Sequence, residues 1–157
     1  MDYLIRAAEL RDLDEIVRLC SEHAEFEKAE FSPEGKAEKL KSLLFSESPR
    51  LFCLVVESDG ALAGYATFMK ELLTWEADYY LHMDCLFLRP QARNHRIGEE
   101  LIKEIARRAE MMNCTEIQWQ TPAWNERALV FYRRLGANSR VKVRMYLDKT
   151  TIAKLAE

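Results

Sequence analysis

Apolar residues follow a helical period in some parts of the chain and alternate or run together in others. The helical period predicts helices over residues 13–27, 32–45, 98–112 and within 124–137. Alternating or continuous apolar runs predict strands over residues 3–6, 51–57, 61–70, 79–88, 115–120 and 140–147. The element order is therefore β-α-α-β-β-β-α-β-α-β.

Two features of this order predict the fold class. The early strands come in pairs, with Ser58-Asp59-Gly60 as a hairpin turn, whereas later strands alternate with helices. The run at 79–88 is apolar on both faces, which is typical of a central strand. We expect an α/β protein with a mixed (α+β), mostly antiparallel central sheet and helices on both faces, built as a single domain over residues 1–157.

Composition and net charge limit the classes of partner that this chain is expected to bind. The 157 residues are 48% hydrophobic and 31% charged, with a net charge of −3, as in an ordinary globular protein. The chain has no basic excess, so nucleic acid is not expected as a partner. No apolar stretch approaches the roughly 20 residues of a membrane span, and the charged N-terminal segment does not resemble a signal peptide.

The four cysteines predict neither a disulfide framework nor a metal centre. Cys20, Cys53, Cys85 and Cys114 are widely separated, form no C-x-x-C pair, and lie in apolar runs where a thiol packs as a small hydrophobe. With three histidines in the chain, no metal is expected. A reducing cytoplasm suits this pattern best.

The segment at 124–137 has its own helix start and stop. Asn125 is a good N-cap, and Ala128, Phe131, Tyr132 and Leu135 share one face that is predicted to be buried. Tyr132 is the unusual member, because an inward phenol needs a hydrogen-bond partner. That partner is either a core carbonyl or a reacting atom.

A strand, a polar loop and a helix follow one another through residues 86–98. A loop that turns into a helix presents free backbone N–H groups and the positive end of the helix dipole. Arg93 and Arg96 add formal positive charge. A polyanion such as a pyrophosphate fits here, and the alternative is a solvated loop with two surface arginines.

Polar residues also interrupt the apolar strand at 79–88. His82 and Asp84 share one face by the period of two, and polar groups there are costly unless paired or functional. They are candidates for binding or deprotonating an amine, or else they pair with each other structurally.

Two segments resemble a known family. Residues 93–98, Arg-Asn-His-Arg-Ile-Gly, resemble the acyl-CoA pyrophosphate loop of the GCN5-related N-acetyltransferase (GNAT) family, whose pattern is Arg/Gln-x-x-Gly-x-Gly/Ala. The segment at 124–137 resembles a later helix of that family, and the element order matches its fold from about residue 3 to 147. The runs at 81–88 and 124–137 are most similar to the diamine (spermidine/spermine) branch.

The resemblance implies an enzyme that transfers acetyl from acetyl-CoA directly to a primary amine of a small molecule, with a diamine or polyamine as candidate acceptor. It also implies a homodimer. Two alternatives stay open, namely a protein or peptide N-acetyltransferase and a non-catalytic acyl-CoA-binding regulatory module.

The resemblance implies roles for individual residues as well. The expected cofactor-binding residues are Leu86, Phe87 and Leu88 for the pantetheine arm, Arg93, Arg96, Ile97, Gly98 and Glu99 for the CoA phosphates, and Asn125 for the CoA arm. Tyr132 is the expected general acid at the thioester sulfur, and Asp84 the expected catalytic and substrate-binding carboxylate. Glu27 and His82 are further expected substrate-binding residues, because the acidic positions after the first helix flank the acceptor site in this fold.

One departure from the family pattern concerns the loop. Arg96 stands where the family has its first glycine, and Asn94 occupies another position often held by glycine. Asparagine tolerates positive φ, whereas arginine carries a long side chain that either crowds the phosphates or pairs with them.

Overall fold

A computed structural model describes residues 2–157 in two compact units, one ending at Pro122 and the other spanning Ala123–Glu157. The first unit contains β1 (Leu4–Ala7), α1 (Leu13–Phe26), α2 (Lys36–Leu44), β2 (Phe52–Ser58), β3 (Ala61–Leu73), β4 (Asp78–Leu88), α3 (Ile97–Met111) and β5 (Ile117–Gln118). The second contains α4 (Glu126–Arg134) and α5 (Lys149–Leu155). The single-domain expectation stays a prediction.

The five strands form one mixed sheet in the order β1-β2-β3-β4-β5. Neighbours from β1 to β4 are antiparallel, and β5 runs parallel to β4. Parallel strands need a crossover connection, and α3 supplies it between β4 and β5. The predicted mixed, mostly antiparallel sheet is confirmed.

The predicted helical stripes supply the core. On one face of the sheet, Ile16 and Leu19 of α1 pack in a buried cluster with Val55 of β2 and Tyr65 of β3. The stripe of α3 is also buried, and it consists of Ile97, Leu101, Ile105 and Ala109. Because α3 contacts β4, this second layer holds the end of that strand and the start of the helix in a fixed relation.

The hairpin between β2 and β3 follows its turn chemistry. Asp59 has φ 53° and Gly60 has φ 76°, which is the pair of positive values that a two-residue type I′ turn requires. The predicted turn at 58–60 is confirmed, and it fixes the β2–β3 register.

Some element boundaries differ from the sequence prediction. The second helix begins at Lys36, after Gly35 as N-cap, and not at the Ser-Pro pair at 32–33. The fifth strand covers Ile117–Gln118 and not residues 115–120, because it pairs with β4 over that short stretch.

The predicted last strand at 140–147 is wrong. Residues 138–148 form neither helix nor strand, and Val141 and Val143 are 101% and 82% exposed. Alternating apolar residues make a strand only when a neighbouring strand takes up their backbone hydrogen bonds. The sequence analysis also missed α5, whose start is marked by Asp148, where Oδ1 accepts the Thr151 N–H at 2.7 Å.

Gly64 fixes the approach of β3 to the end of β4. It pairs with Leu88, and a Cβ at this position would lie 2.5 Å from the carbonyl oxygen of Phe87 and 2.5 Å from Leu88 Cδ2. The two strands could not keep this register with any larger residue.

Gly64→Ala is therefore expected to lower the free energy of unfolding by about 2–3 kcal/mol, since the clash involves backbone and cannot relax by rotamer change. Urea denaturation measures the loss. Ala61→Gly, an exchange at an exposed position of the same strand, is the control, and we expect it to cost below about 1 kcal/mol. Equal losses in the two variants would contradict the close-approach argument.

Candidate active site

The edge of β4 that faces β5 is not paired with β5 beyond His82. The β5 register ends with the pairs Leu81–Ile117 and His82–Gln118, while β4 continues to Leu88 and pairs with β3 along that whole length. The stretch from Met83 to Leu88 therefore has an edge that β5 does not cover. Backbone groups on such an edge can pair with an extended ligand.

A β-bulge lies where this edge begins. Thr67 pairs with Cys85 and Phe68 pairs with Met83, so Asp84 is the extra residue of β4. A bulge bends its strand and redirects a side chain. The Asp84 side chain is 55% exposed, whereas Met83 beside it is buried. The bulge thus turns a carboxylate outward at the opening.

His82 and Asp84 lie on one face as predicted. His82 Nε2 is 3.8 Å from Asp84 Oδ1, which is an ion-pair distance when the imidazole is protonated. The Cys85 Sγ lies 3.7 Å from Asp84 Oδ2. The carboxylate therefore contacts weak or conditional partners and keeps most of its surface for solvent or a ligand.

A second carboxylate lies at the end of α1. Glu27 follows the helix, its side chain is 38% exposed, and its Oε1 is 3.3 Å from His23 Nε2. Burial lowers the pKa of His23, while the charges of Glu27 and Asp84 act in the opposite direction. One imidazole is thus within electrostatic reach of both carboxylates.

His23 is a residue that the sequence analysis missed. It extends the apolar stripe of α1 by one turn beyond Cys20, its ring stacks on Phe87 at 5.1 Å, and its Nδ1 lies 3.1 Å from Tyr65 Oη. The signal was a histidine on an apolar stripe four residues before Glu27. A stripe alone does not reveal which strand lies beneath it.

The loop before α3 adopts the backbone that its glycine-like positions require. Asn94 has φ 68° and Arg96 has φ 61°, both left-handed. Arg96 is the N-cap of α3 without a side-chain capping bond, and the helix begins with the Glu100 N–H to Arg96 carbonyl bond of 3.1 Å. An arginine in this conformation costs about 1–2 kcal/mol.

Arg93, in the loop before α3, contacts the strand that precedes the loop. Arg93 turns back to the strand, with Nε donating to the Leu88 carbonyl at 2.9 Å and the guanidinium over the rings of Phe26 and Phe87. The Leu88 carbonyl, a predicted pantetheine contact, therefore already has a donor.

The acidic residues of the first turn of α3 are neutralised locally. Lys103 Nζ is 3.0 Å from Glu99 and 2.8 Å from Glu100. Their charges therefore oppose an anion at the helix start less than two unpaired carboxylates would. Ile97 and Phe87 are buried, so any cofactor contact from these two predicted residues must use backbone atoms.

The second unit carries two predicted site residues on α4. Asn125 caps the helix as predicted, with Oδ1 accepting the Ala128 N–H at 3.2 Å. Tyr132 is half-buried, and its ring centroid is 5.1 Å from that of Phe131. The face predicted to be buried is only partly covered, because no α4 residue is fully buried and Leu135 is 36% exposed.

Comparison with known proteins identifies the family. The family model described as "Acetyltransferase (GNAT) family" matches residues 10–137. The chain belongs to the GNAT family. It is 32% identical over 141 residues to the thialysine N-epsilon-acetyltransferase of Mus musculus, covering 85% of this chain and 82% of the relative.

Two further likenesses agree with this assignment. The chain is 27% identical over 145 residues to the human spermidine/spermine N(1)-acetyltransferase-like protein 1, covering 87% of this chain and 21% of that protein. An aminoglycoside N-acetyltransferase solved in complex with CoA superposes with a TM-score of 0.79 at 16% identity, covering 94% of this chain and 95% of the other.

The predicted family, fold and type of enzyme are confirmed. This GNAT protein is an acetyl-CoA-dependent N-acetyltransferase that acts on an amine of a small molecule. Among residues 2–157, no helix combines the length and the apolar character that a membrane crossing demands.

Proposed function

We propose that this enzyme acetylates a small, multiply charged amine, such as a diamine, a polyamine or a thialysine-like amino acid. The observation that carries the proposal is the exposed carboxylate of Asp84 on the β4 bulge, together with the Glu27 carboxylate that follows α1, since the charges of both act on the imidazole of His23. Carboxylates that act on one site attract cationic substrates and disfavour anionic ones.

The proposed cofactor site runs along β4 into α3. The edge from Met83 to Leu88 would pair with the pantetheine amides, and the left-handed turn at Asn94 and Arg96 would present the first N–H groups of α3 to the diphosphate. The fit rests on the helix start, which has no side-chain cap. Asn125 of α4 is the proposed contact to the CoA arm.

The proposed chemistry is direct transfer without a covalent enzyme intermediate. Acetyl-CoA supplies a thioester, whose C–S bond breaks as the C–N bond of the amide forms. Asp84 holds the ammonium form of the amine, which must lose one proton to solvent water before attack because amines of this kind have a pKa of about 10.4. As the C–N bond forms, the nitrogen releases a second proton through solvent, and this proton restores the phenol of Tyr132 after transfer. Tyr132 donates one proton to the departing sulfur.

A thiol-release panel tests the proposal. Thialysine, spermidine, ornithine, an aminoglycoside and a lysine peptide are compared at equal concentration with acetyl-CoA. We expect the small acceptors with two or more ammonium groups, namely thialysine, ornithine and spermidine, to release CoA thiol fastest. A peptide or neutral amine that reacts faster would overturn the proposed substrate class, and no release from any acceptor would overturn the proposed function.

Arg96→Gly separates backbone strain from phosphate binding. Glycine relieves the left-handed conformation, so we expect the free energy of unfolding to rise by about 0.5–1 kcal/mol. The lost cation is expected to weaken acetyl-CoA binding by about threefold, with a smaller dependence on salt. Urea denaturation and calorimetry at two salt concentrations measure the two effects.

The control for this variant is Arg50→Gly, which removes an arginine whose side chain is 85% exposed. It is expected to leave acetyl-CoA affinity unchanged. Tighter cofactor binding by Arg96→Gly would show that the arginine crowds the phosphates, which is the other alternative that the sequence leaves open.

Two further proposals concern the cellular setting. All four cysteines are free, which supports work in a reducing compartment such as the cytoplasm.

Leu72 and Trp75 near the tip of the β3–β4 hairpin are 67% and 96% exposed, which supports a homodimer that covers them. Light scattering of the purified enzyme, with Trp75→Ser as a comparison, measures the oligomeric state.

A further inference from the structure

His23 joins a buried phenol to an exposed carboxylate. Its Nδ1 lies 3.1 Å from Tyr65 Oη, its Nε2 lies 3.3 Å from Glu27 Oε1, and Phe87 holds the ring in a stacked position. The three groups come from β3, the last turn of α1 and the residue that follows that helix. The proposed reaction assigns no role to His23 or to Tyr65.

The chemistry of Tyr65 sets the direction of these hydrogen bonds. Tyr65 is 1% exposed, and burial raises its pKa well above the usual range, so the phenol keeps its proton. Among its neighbours, the imidazole nitrogen is a far better acceptor than the thiols of Cys20 and Cys85. Tyr65 therefore donates to Nδ1, and the remaining proton of neutral His23 is on Nε2, which faces Glu27.

This direction matters for Glu27. A carboxylate held by one Nε2–H bond has its side-chain rotamer fixed and still offers its other lone pairs to a ligand. Protonation of His23 would replace the neutral donor by an imidazolium, which competes with an ammonium ligand for the same carboxylate.

We propose that neutral His23 positions the Glu27 carboxylate for the acceptor amine, and that protonated His23 competes with that amine and releases it. This inference rests on the proposed function, because it takes Glu27 as an amine-binding group. His23 is thus a positioning residue that makes amine affinity fall as the medium becomes acidic.

The charges that face His23 fit this behaviour. Glu27 and Asp84 favour the imidazolium, whereas burial and the Arg93 guanidinium oppose it, and burial is the largest influence. The pKa of His23 is lowered overall, so the imidazole is neutral near pH 7. An ammonium bound to Glu27 adds one more positive charge near His23 and favours the neutral imidazole further.

Steady-state kinetics with thialysine between pH 5.5 and 8.5 test the role of His23. For the wild type, the KM for thialysine should rise at low pH, beyond any change in kcat. His23→Gln keeps an N–H donor near the position of Nε2 but does not titrate, so it should retain the KM at pH 8 and lose the acid rise. His23→Leu should raise this KM about tenfold at pH 8 and show no acid rise, because the charge-assisted bond and the titrating imidazole are both lost.

The variant Tyr65→Phe and a measurement of acetyl-CoA binding complete this set of experiments. Removing the phenol hydroxyl lets His23 adopt either tautomer, and we expect the thialysine KM to rise less than in His23→Leu. Each variant should keep the thermal shift that acetyl-CoA gives to the wild type, which shows that the fold and cofactor site persist. An active wild type with unchanged KM and pH profile in His23→Leu would overturn the inference and leave the proposed function intact.

A titration by NMR provides a readout that needs no turnover. The chain has three histidines, so His82→Gln and His95→Gln suffice to assign the His23 signal. Saturating thialysine should shift the His23 titration to lower pH. An unchanged titration would overturn the inference even where variants fold poorly, whereas a wild type that releases no thiol would overturn the proposed function.

Discussion

Asp84→Asn is expected to lower kcat/KM for the amine about 100-fold, because a charge-assisted contact to an ammonium is lost and the substituted amide cannot hold the charge. The bulge places this carboxylate outward, so the substitution leaves a half-exposed amide and should not disturb the core. The KM for acetyl-CoA should stay the same. Initial rates with each substrate varied in turn separate the two effects.

Asp59→Asn is the matched control for this prediction. It makes the same chemical change at the hairpin between β2 and β3, where asparagine tolerates the positive φ of 53°. Its kinetics should equal those of the wild type. If Asp84→Asn also left kcat/KM unchanged, the carboxylate would have a structural role only.

Tyr132→Phe is expected to lower kcat by about 10-fold to 100-fold, because the departing sulfur loses its proton donor. The ring stays, so its contact with Phe131 and the packing of α4 should persist. The acetyl-CoA dissociation constant should not change. Rates over a pH series with calorimetry on the same samples distinguish lost chemistry from lost binding.

Tyr146→Phe removes a hydroxyl from the same unit at a position that is 86% exposed, and it should keep wild-type turnover. Turnover of Tyr132→Phe equal to the wild type across the whole pH series would remove the general-acid assignment. The hydroxyl would then serve the packing of its helix.

Strong local signals made most of the fold predictable. The stripe of α3, the Asp59-Gly60 turn and the Asn125 cap each depend on residues close in sequence, and each is present in the structure. The strand at 140–147 failed because alternation does not determine a pairing partner. The start of α2 failed because Ser-Pro marks turns as well as helix starts.

Residues of the candidate site could likewise be predicted where the local sequence marks them, and not where their position depends on distant segments. Asp84 and Arg96 could be selected from the chain because their residue types are unusual for their local pattern. The bulge that turns Asp84 outward depends on the β3 register, and two partners of His23, Tyr65 and Phe87, come from β3 and β4. Such long-range relations are not encoded in the spacing of residues along one segment, so Tyr65 and His23 could not be brought together in advance.

The extra residue in β4 also determines which changes of sequence this strand tolerates. Cys85 and Phe87, after it, pack in the cluster with α1, whereas the buried Leu81 and Met83, before it, lie outside that cluster. Apolar residues at odd positions therefore lie on two different faces of the sheet, before and after the bulge. The reason is that one added residue inverts the alternation of side chains along the strand. A substitution at position 84 leaves the pairing of β4 with β3 in place, whereas deletion of this residue would put the side chains of half of the strand on the opposite face of the sheet.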